Sequence, residues 1–135
     1  MITIKSEREI ELMAAAGKIN TEAHKLAEKH LKPGVTTKQI DDIIKKFVID
    51  NGAYPSCLNY EGFPGAACIS VNDEVVHGIP SNRKLKNGDI VKLDFTVRKD
   101  GYESDMTRTY IIGEVSKEIE DLVKNTYEAL QRGIA

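Results

Sequence analysis

Apolar residues recur at helical spacing over the first third of the chain. Each run follows a capping box, in which two side chains satisfy backbone N–H groups at a helix start; the boxes are Ser6 with Glu9 and Thr36 with Gln39. The first predicted helix ends at Pro33-Gly34 and has the apolar stripe Ile10, Met13, Gly17, Ala23, Leu26 and Ala27. The second ends at Asn51-Gly52 and has the stripe Ile40, Ile43, Ile44, Phe47 and Val48.

After these helices the pattern becomes typical of strands. Short strands are predicted from Tyr54 to Tyr60 and from Ala66 to Val71, separated by the turn Gly62-Phe63-Pro64-Gly65. The clearest alternation runs from Ile90 to Arg98. It places Val91, Leu93, Phe95 and Val97 on one face of a strand and Lys92, Asp94, Thr96 and Arg98 on the other.

A hairpin is predicted directly after this strand. Asp100-Gly101 favours a type I′ turn, because both central residues of that turn need positive φ. The return strand is expected from Tyr102 to about Ile112. Ser116 then precedes a third helix with the stripe Ile119, Leu122, Val123, Thr126 and Leu130. The hydrocarbon face of the hairpin is expected to lie under helix stripes that supply Ile43, Phe47, Leu122 and Val123.

The composition excludes several classes of protein. The chain has 135 residues, of which 41% are hydrophobic and 30% charged, and residues 1–135 are expected to form one domain. A net charge of -2 argues against a nucleic-acid-binding protein. No apolar run approaches the ~20 residues that span a bilayer, and no secretory apolar region opens the chain. Cys57 and Cys68 are therefore expected to be reduced thiols in a cytoplasmic protein.

The hairpin brings two carboxylates together. A two-residue turn makes position i face position 201 − i, so Thr96 faces Asp105 and Asp94 faces Thr107. The two aspartates then share one face of the hairpin as diagonal neighbours, ~7–8 Å apart at the backbone. Carboxylates so close repel each other unless a cation lies between them or one is protonated. A divalent metal that activates water for hydrolysis is one interpretation.

The other interpretation of this face is an ordinary solvated surface. Aspartates are common on the exposed side of an antiparallel hairpin. Lys92 lies on the same strand face as Asp94, which favours a surface ion pair. Spacing alone leaves both interpretations open.

Several short motifs occur in a fixed order along the chain. The hairpin carries Asp94-Phe95-Thr96, Asp100-Gly101-Tyr102, Asp105 and Thr107-Arg108-Thr109. Upstream lie Pro55-Ser56-Cys57-Leu58-Asn59-Tyr60, Gly62-Phe63-Pro64, Cys68-Ile69-Ser70-Val71-Asn72 and Asp73-Glu74-Val75-Val76-His77-Gly78-Ile79-Pro80. Together they resemble the type I methionine aminopeptidases over essentially the whole chain, from the first helix to the third.

The resemblance implies an α+β fold, half of a pita-bread fold, with an antiparallel sheet covered on one side by helices. The family removes the initiator methionine from new polypeptides. The resemblance makes Asp94 and Asp105 ligands of divalent metal ions, with Asp105 bridging two of them. The implied cofactors are ions of the cobalt, manganese, iron or zinc class, two in a complete site.

The resemblance also implies residues around the substrate. It places His77 beside the scissile peptide, where the imidazole would hydrogen-bond the substrate or the developing charge. It makes Tyr60, Phe63 and Cys68 the wall of a pocket for the methionine side chain, and a soft apolar lining suits a thioether. On the residues alone, His77 also fits an ordinary loop histidine, and the three pocket residues also fit a core.

Other residues match the family less well. Asn72 corresponds to a position near a monovalent cation. His24 and His30 match no ligand and are expected on the surface of the first helix. Lys92 stands where a small polar residue is commoner in the family.

The family's remaining ligands, one histidine and two glutamates, come from the second half of its fold, and this chain ends before them. The chain is therefore expected to be inactive alone. Its expected partners are the N-terminal methionine of a polypeptide, and either a complementary second half or a second copy that forms a homodimer through an uncovered strand edge. Two alternatives stay open, namely a non-enzymatic or engineered half-fold module that self-associates, and a domain with only ancestral resemblance.

Overall fold

A computed structural model describes residues 2–135. It contains three α-helices, one short 3-10 helix and four strands. The helices are α1 (Glu7–Glu28), α2 (Thr37–Asp50) and α3 (Lys117–Ile134), and the strands are β1 (Tyr54–Pro55), β2 (Cys68–Val71), β3 (Ile90–Lys99) and β4 (Tyr102–Ile111). Both predicted capping boxes are formed, and the Ser116 hydroxyl caps α3.

The predicted hairpin forms the centre of the sheet. Strands β3 and β4 pair antiparallel over ten residues each, and the predicted register is confirmed from Ile90↔Ile111 to Lys99↔Tyr102. Asp100 and Gly101 both have positive φ, 49° and 84°, as the type I′ turn requires. Because β4 pairs with the whole of β3 on one edge, β1 and β2 lie end to end along its other edge.

One face of this sheet is covered by helices. Val91, Leu93, Phe95 and Val97 are all buried, and both α1 and α2 contact the sheet. Ile40, Ile44 and Val48 of α2 join them in the core, with Phe47 at its edge. The alternation in β3 therefore gives one hydrocarbon face under helices and one polar face without them. The predicted α+β class is confirmed.

The packing stripe of α1 differs from the prediction. Ile10 and Met13 are exposed, and the buried positions are Ala16, Asn20, Ala23, His24 and Ala27. Small residues let the helix approach the sheet closely, and two polar side chains then bond to it. The Asn20 amide donates to the carbonyl oxygens of Phe95 and Ser104, at 3.0 and 2.8 Å.

The predicted surface position of His24 is wrong. Its side chain is only 1% exposed and stacks on Phe95, with ring centroids 4.4 Å apart. Both ring nitrogens are within 3.1 Å of polar atoms, Nδ1 of the Tyr110 hydroxyl and Nε2 of the Met106 carbonyl. These partners allow a buried imidazole because they satisfy it in its neutral form. His30, just beyond the helix, is exposed as predicted.

Two further predictions are wrong. The strand expected from Tyr54 to Tyr60 ends at Pro55, because Asn59 and Glu61 adopt left-handed φ and the chain turns into a short 3-10 helix, Tyr60–Gly62. Helix α3 does not cover the hairpin. Leu122 is 60% exposed, and none of the residues that the structure describes in α3 is buried. Within residues 2–135, no helix has the length and apolar character of a membrane span.

Candidate functional site

The polar face of the hairpin holds Asp94 and Asp105 side by side. Asp94 pairs in register with Thr107, and Asp105 with Thr96. Each threonine hydroxyl donates to one oxygen of the aspartate opposite, Thr107 to Asp94 at 2.7 Å and Thr96 to Asp105 at 2.9 Å. These hydroxyls fix the orientation of both carboxylates and leave each a second oxygen. Asp94 is half-buried and Asp105 is exposed.

Lys92 does not make the surface ion pair that its position suggests. It lies on the same face of β3 as Asp94, but its ammonium donates to the carbonyl oxygens of Asn72 and Glu74. Both carbonyls belong to the loop between β2 and the hairpin. The positive charge is thus directed at loop backbone, and the carboxylate of Asp94 keeps its hydrogen bond from Thr107.

Strand β2 brings a thiol to the same place. Cys68 is buried and pairs in register with Asp94. It contacts Cys57, and a hydrogen bond from Cys68 lowers the pKa of Cys57 to about 7, although burial and the carboxylates of Asp94 and Asp105 act in the opposite direction. The same contact with Cys57 raises the pKa of Cys68, and burial raises it further. Two free thiols therefore adjoin the two carboxylates.

His77 lies in the loop after β2, and its backbone conformation is unusual. Its φ is 58°, a left-handed value that is uncommon for residues with a side chain, and its imidazole is exposed. Both backbone polar groups of the next residue, Gly78, are hydrogen-bonded to β2. The Gly78 carbonyl accepts from the N–H of Ile69 at 2.8 Å, and the Gly78 N–H donates to the Ser70 hydroxyl at 3.0 Å. The backbone next to His77 is thus fixed to the part of β2 that directly follows Cys68.

The other predicted pocket residues occupy the loop between β1 and β2. Tyr60 is 68% exposed, at the start of the 3-10 turn. Phe63 is half-buried, and its N–H donates to the Tyr60 carbonyl at 2.9 Å. Cys57 and Cys68 interact near the two ends of this loop, and Cys68 pairs with Asp94, so the segment that carries both aromatic residues leads directly to Asp94.

Sequence reasoning missed Asp41, whose carboxylate binds the backbone at the end of the loop between β1 and β2. Asp41 is buried on α2, and its Oδ1 accepts from the N–H groups of Ala66 and Ala67, at 2.7 and 2.9 Å. Burial raises the pKa of its carboxyl, while these two N–H donors act to lower it. A signal was present, because Asp41 falls on the same helix face as the buried Ile40 and Ile44.

The donor set fits part of a site for divalent metal. Asp94 and Asp105 each have a carboxylate oxygen not used by a threonine, and oxygen ligands of this kind suit divalent ions. Within residues 2–135, however, no three His, Cys, Asp or Glu side chains converge to hold an ion. The two carboxylates alone do not form a metal centre in the described residues.

Gly78 is the position of this loop least able to accept a side chain. A Cβ built there would lie 2.3 Å from the Ile69 carbonyl oxygen, which real structures do not allow. We expect Gly78→Ala to lower the free energy of unfolding by about 1–3 kcal/mol, because backbone must shift to admit the methyl group. Urea denaturation measures this change.

Gly133→Ala is the control for Gly78→Ala. A Cβ at Gly133 meets no atom within 4 Å, and the residue lies in α3, where alanine favours the helix over glycine. Unchanged or higher stability is expected for this variant. Equal stability of Gly78→Ala and the unmodified chain would contradict the tight approach of the loop to β2.

A comparison with protein families relates this geometry to a known group. The sequence model of metallopeptidase family M24 matches residues 11–135. The chain is 42% identical over 134 residues to methionine aminopeptidase 1 of Bacillus subtilis. That alignment covers 99% of this chain and 54% of the relative. The chain therefore spans about half the length of the curated relatives it matches.

Solved structures give the same result for the fold. The crystal structure of methionine aminopeptidase from Rickettsia prowazekii superimposes with a TM-score of 0.96 and 42% identity, over 99% of this chain and 54% of that one. A prolidase from Pyrococcus furiosus superimposes with a TM-score of 0.83 at 24% identity, over 96% of this chain and 37% of that one, and this likeness concerns the fold alone. Together with the α+β architecture, these similarities confirm the predicted half of a pita-bread fold.

Proposed function

The chain belongs to metallopeptidase family M24, and from this membership we propose that it supplies the amino-terminal half of a methionine aminopeptidase site. The observation that carries the proposal is the pair Asp94 and Asp105 on the polar face of the hairpin, each oriented by a threonine hydroxyl. The reaction is hydrolysis of the peptide bond after an N-terminal methionine. We place it in the cytoplasm, where new polypeptides carry that residue.

Asp94 and Asp105 are the proposed metal ligands of this half. Divalent ions bound there, two in the complete site, would activate water and polarise the scissile carbonyl. The hydroxyls of Thr96 and Thr107 hold the two carboxylates in one orientation, which removes part of the cost of arranging them around an ion. That Asp105 would serve both ions is implied by the resemblance to the type I methionine aminopeptidases.

Residues on the two neighbouring loops are proposed to receive the substrate. His77 would donate a hydrogen bond to the substrate near the reacting carbonyl from its exposed loop. Tyr60, Phe63 and Cys68 would contact the methionine side chain, an unbranched thioether that suits aromatic and sulfur-containing surfaces. The supporting observation is that the segment with both aromatic residues ends at Cys68, which pairs with Asp94 and interacts with Cys57 at the start of the segment.

The remaining parts of the site are proposed to come from a second half. Two carboxylates cannot complete the coordination of two ions, and the chain spans 54% of the length of its Bacillus subtilis relative. The resemblance implies that the other half supplies a histidine and two glutamates as further ligands. Helix α3 offers a surface for such a partner: its apolar residues Leu122, Tyr127, Leu130 and Ile134 are each more than half exposed.

The test is reconstitution from separate halves. The 135-residue chain is assayed for release of methionine from the peptide Met-Gly-Met with added Co²⁺ or Mn²⁺, alone and mixed with the carboxy-terminal half of the Bacillus subtilis relative. We expect no turnover by the chain alone and metal-dependent release in the mixture, because only the mixture holds a full ligand set.

The relative's own amino-terminal half, mixed with the same carboxy-terminal half, is the positive control. If that pair is active and the mixture with this chain is not, the proposed function is wrong. Turnover that copurifies with the isolated chain would contradict its proposed inactivity alone. Sedimentation equilibrium of the isolated chain tests the second candidate, a self-associating module that the exposed apolar stripe of α3 favours; a concentration-independent 15.0 kDa species excludes it.

A further inference from the structure

Two thiols meet where β1 and β2 lie end to end along the edge of β3. The N–H of Ser56, just after β1, donates to the Thr96 carbonyl at 2.9 Å, and Cys68 begins β2 opposite Asp94. Because a strand rises ~3.3 Å per residue, Ser56 and Cys68 lie ~7 Å apart along this edge. Cys57 directly follows Ser56. The spacing of the two cysteines suits a disulfide, which joins Cα atoms ~4.4–6.8 Å apart.

The side chains of the two cysteines are in contact. Cys68 donates a hydrogen bond to Cys57, whose sulfur also accepts from the backbone N–H of Thr96. Both thiols are free, and the chain has two cysteines in all. A bond between the two sulfur atoms therefore requires little movement of the backbone.

The two thiols differ in exposure and in how firmly their backbone is held. Cys68 is only 7% exposed, and the residues before it, Ala66 and Ala67, donate their N–H groups to the Asp41 carboxylate. Cys57 is half-buried and lies in the turn between β1 and the 3-10 helix. A small dissolved oxidant therefore reaches Cys57 first, and Cys68 stays in place beside it.

We propose that Cys57 and Cys68 form a reversible oxidation site for hydroperoxides. Hydrogen peroxide transfers one oxygen atom to the Cys57 thiol, which yields a sulfenic acid and one water. The Cys68 sulfur then attacks the Cys57 sulfur, the S–O bond breaks, and the hydroxyl group leaves with the proton of the Cys68 thiol as a second water. The peroxide is reduced to water while two thiols are oxidised to one disulfide. A dithiol reductant reverses the step.

The disulfide would change the loop between β1 and β2. It would close residues 57–68 into a ring that contains Tyr60 and Phe63, and it would remove the free thiol of Cys68 from the proposed methionine pocket. The oxidation site itself depends on the two cysteines alone. Only its effect on methionine release rests on the proposed function.

The test is oxidation of the reduced chain by one equivalent of hydrogen peroxide in a buffer with a metal chelator. Thiols are counted with dithionitrobenzoate in denaturant, and intact mass and non-reducing electrophoresis identify the product. We expect both thiols to be lost together, in a monomer lighter by two hydrogen atoms, and dithiothreitol to recover both. Two intact thiols, a disulfide-linked dimer, or a sulfinic acid without the internal bond would each overturn the proposal.

Two single variants separate the roles of the thiols. In Cys68→Ser, Cys57 should stop at a sulfenic acid that dimedone labels. In Cys57→Ser, the remaining buried thiol should react with peroxide about tenfold or more slowly than Cys57 does in Cys68→Ser. Equal rates would contradict the order of the two steps and overturn the proposal. If Cys68→Ser does not fold by circular dichroism, Cys68→Ala is measured in the same way.

The effect on methionine release is measured separately. The oxidised chain, freed of peroxide and mixed with the carboxy-terminal half of the Bacillus subtilis relative, should release methionine about tenfold or more slowly than the reduced chain, because the pocket wall is displaced. Prior reduction with dithiothreitol should restore the rate. An internal disulfide in a chain whose reduced mixture is inactive would support the oxidation site and contradict the proposed function. An active mixture whose chain forms no disulfide would support the function and overturn the oxidation site.

Discussion

Asp105→Asn is expected to lower methionine release by the reconstituted halves about a thousandfold. The substitution keeps the size of the side chain and the hydrogen bond that its Oδ1 accepts from Thr96, but it removes the negative charge. A bridging carboxylate offsets charge on two ions at once, and ions that stabilise a transition state contribute several kcal/mol, each 1.36 kcal/mol being tenfold in rate. Initial rates on Met-Gly-Met at saturating Mn²⁺ measure the effect.

The matched control is Asp100→Asn in the same hairpin. Asp100 is exposed at the turn with a φ of 49°, a conformation that asparagine adopts readily, so the variant removes one carboxylate without straining the backbone. We expect its activity to stay within about twofold of the unmodified chain. Equal activity of Asp105→Asn and Asp100→Asn would contradict the assignment of Asp105 as a ligand.

The geometry of the two carboxylates was predictable because local rules determine it. Asp100-Gly101 favours a type I′ turn, the turn fixes the register, and the register places Asp94 and Asp105 on one face. Each step involves residues close in the chain. The capping boxes of α1 and α2 were predictable for the same reason.

The loops around these carboxylates were not predictable in the same way. The path from Pro55 to Cys68 depends on left-handed backbone at Asn59 and Glu61 and on the distant carboxylate of Asp41. These determinants act through backbone geometry and contacts between residues far apart in the chain. The direction of Lys92 toward loop carbonyls has the same origin, since it depends on where the loop passes over the sheet.

The stripe of α1 shows why a hydrophobic pattern can mislead. Ile10 and Met13 recur at helical spacing but remain exposed, while Asn20 and His24 are buried because their polar atoms meet backbone carbonyls of the hairpin. Burial of a polar group is acceptable where partners satisfy it. Those partners belong to β3 and β4, so the sequence of α1 alone could not predict that Asn20 and His24 are buried.

The burial of His24 predicts a marked loss of stability in acid. Burial lowers the pKa of its imidazole from 6.5 to about 4, with a smaller effect of Arg108 in the same direction and an opposing one from the Met106 carbonyl. Below pH 6.5 the unfolded chain therefore binds a proton that the folded chain does not bind until about pH 4. The free energy of unfolding should fall by about 3 kcal/mol between pH 7 and pH 4 through this group.

Urea denaturation of His24→Gln and His30→Gln over that pH range isolates this contribution. Glutamine does not titrate, so His24→Gln should lose less stability on acidification than the unmodified chain by about 3 kcal/mol, whatever its stability at pH 7. His30 is exposed, and His30→Gln is the control for the loss of a histidine outside the core; it should match the stability of the unmodified chain at pH 7. Parallel curves for the unmodified chain and His24→Gln would mean that the buried imidazole accepts its proton as readily as it does in the unfolded chain. The neutral ring between Tyr110 and Met106 would then be the wrong description of this part of the core.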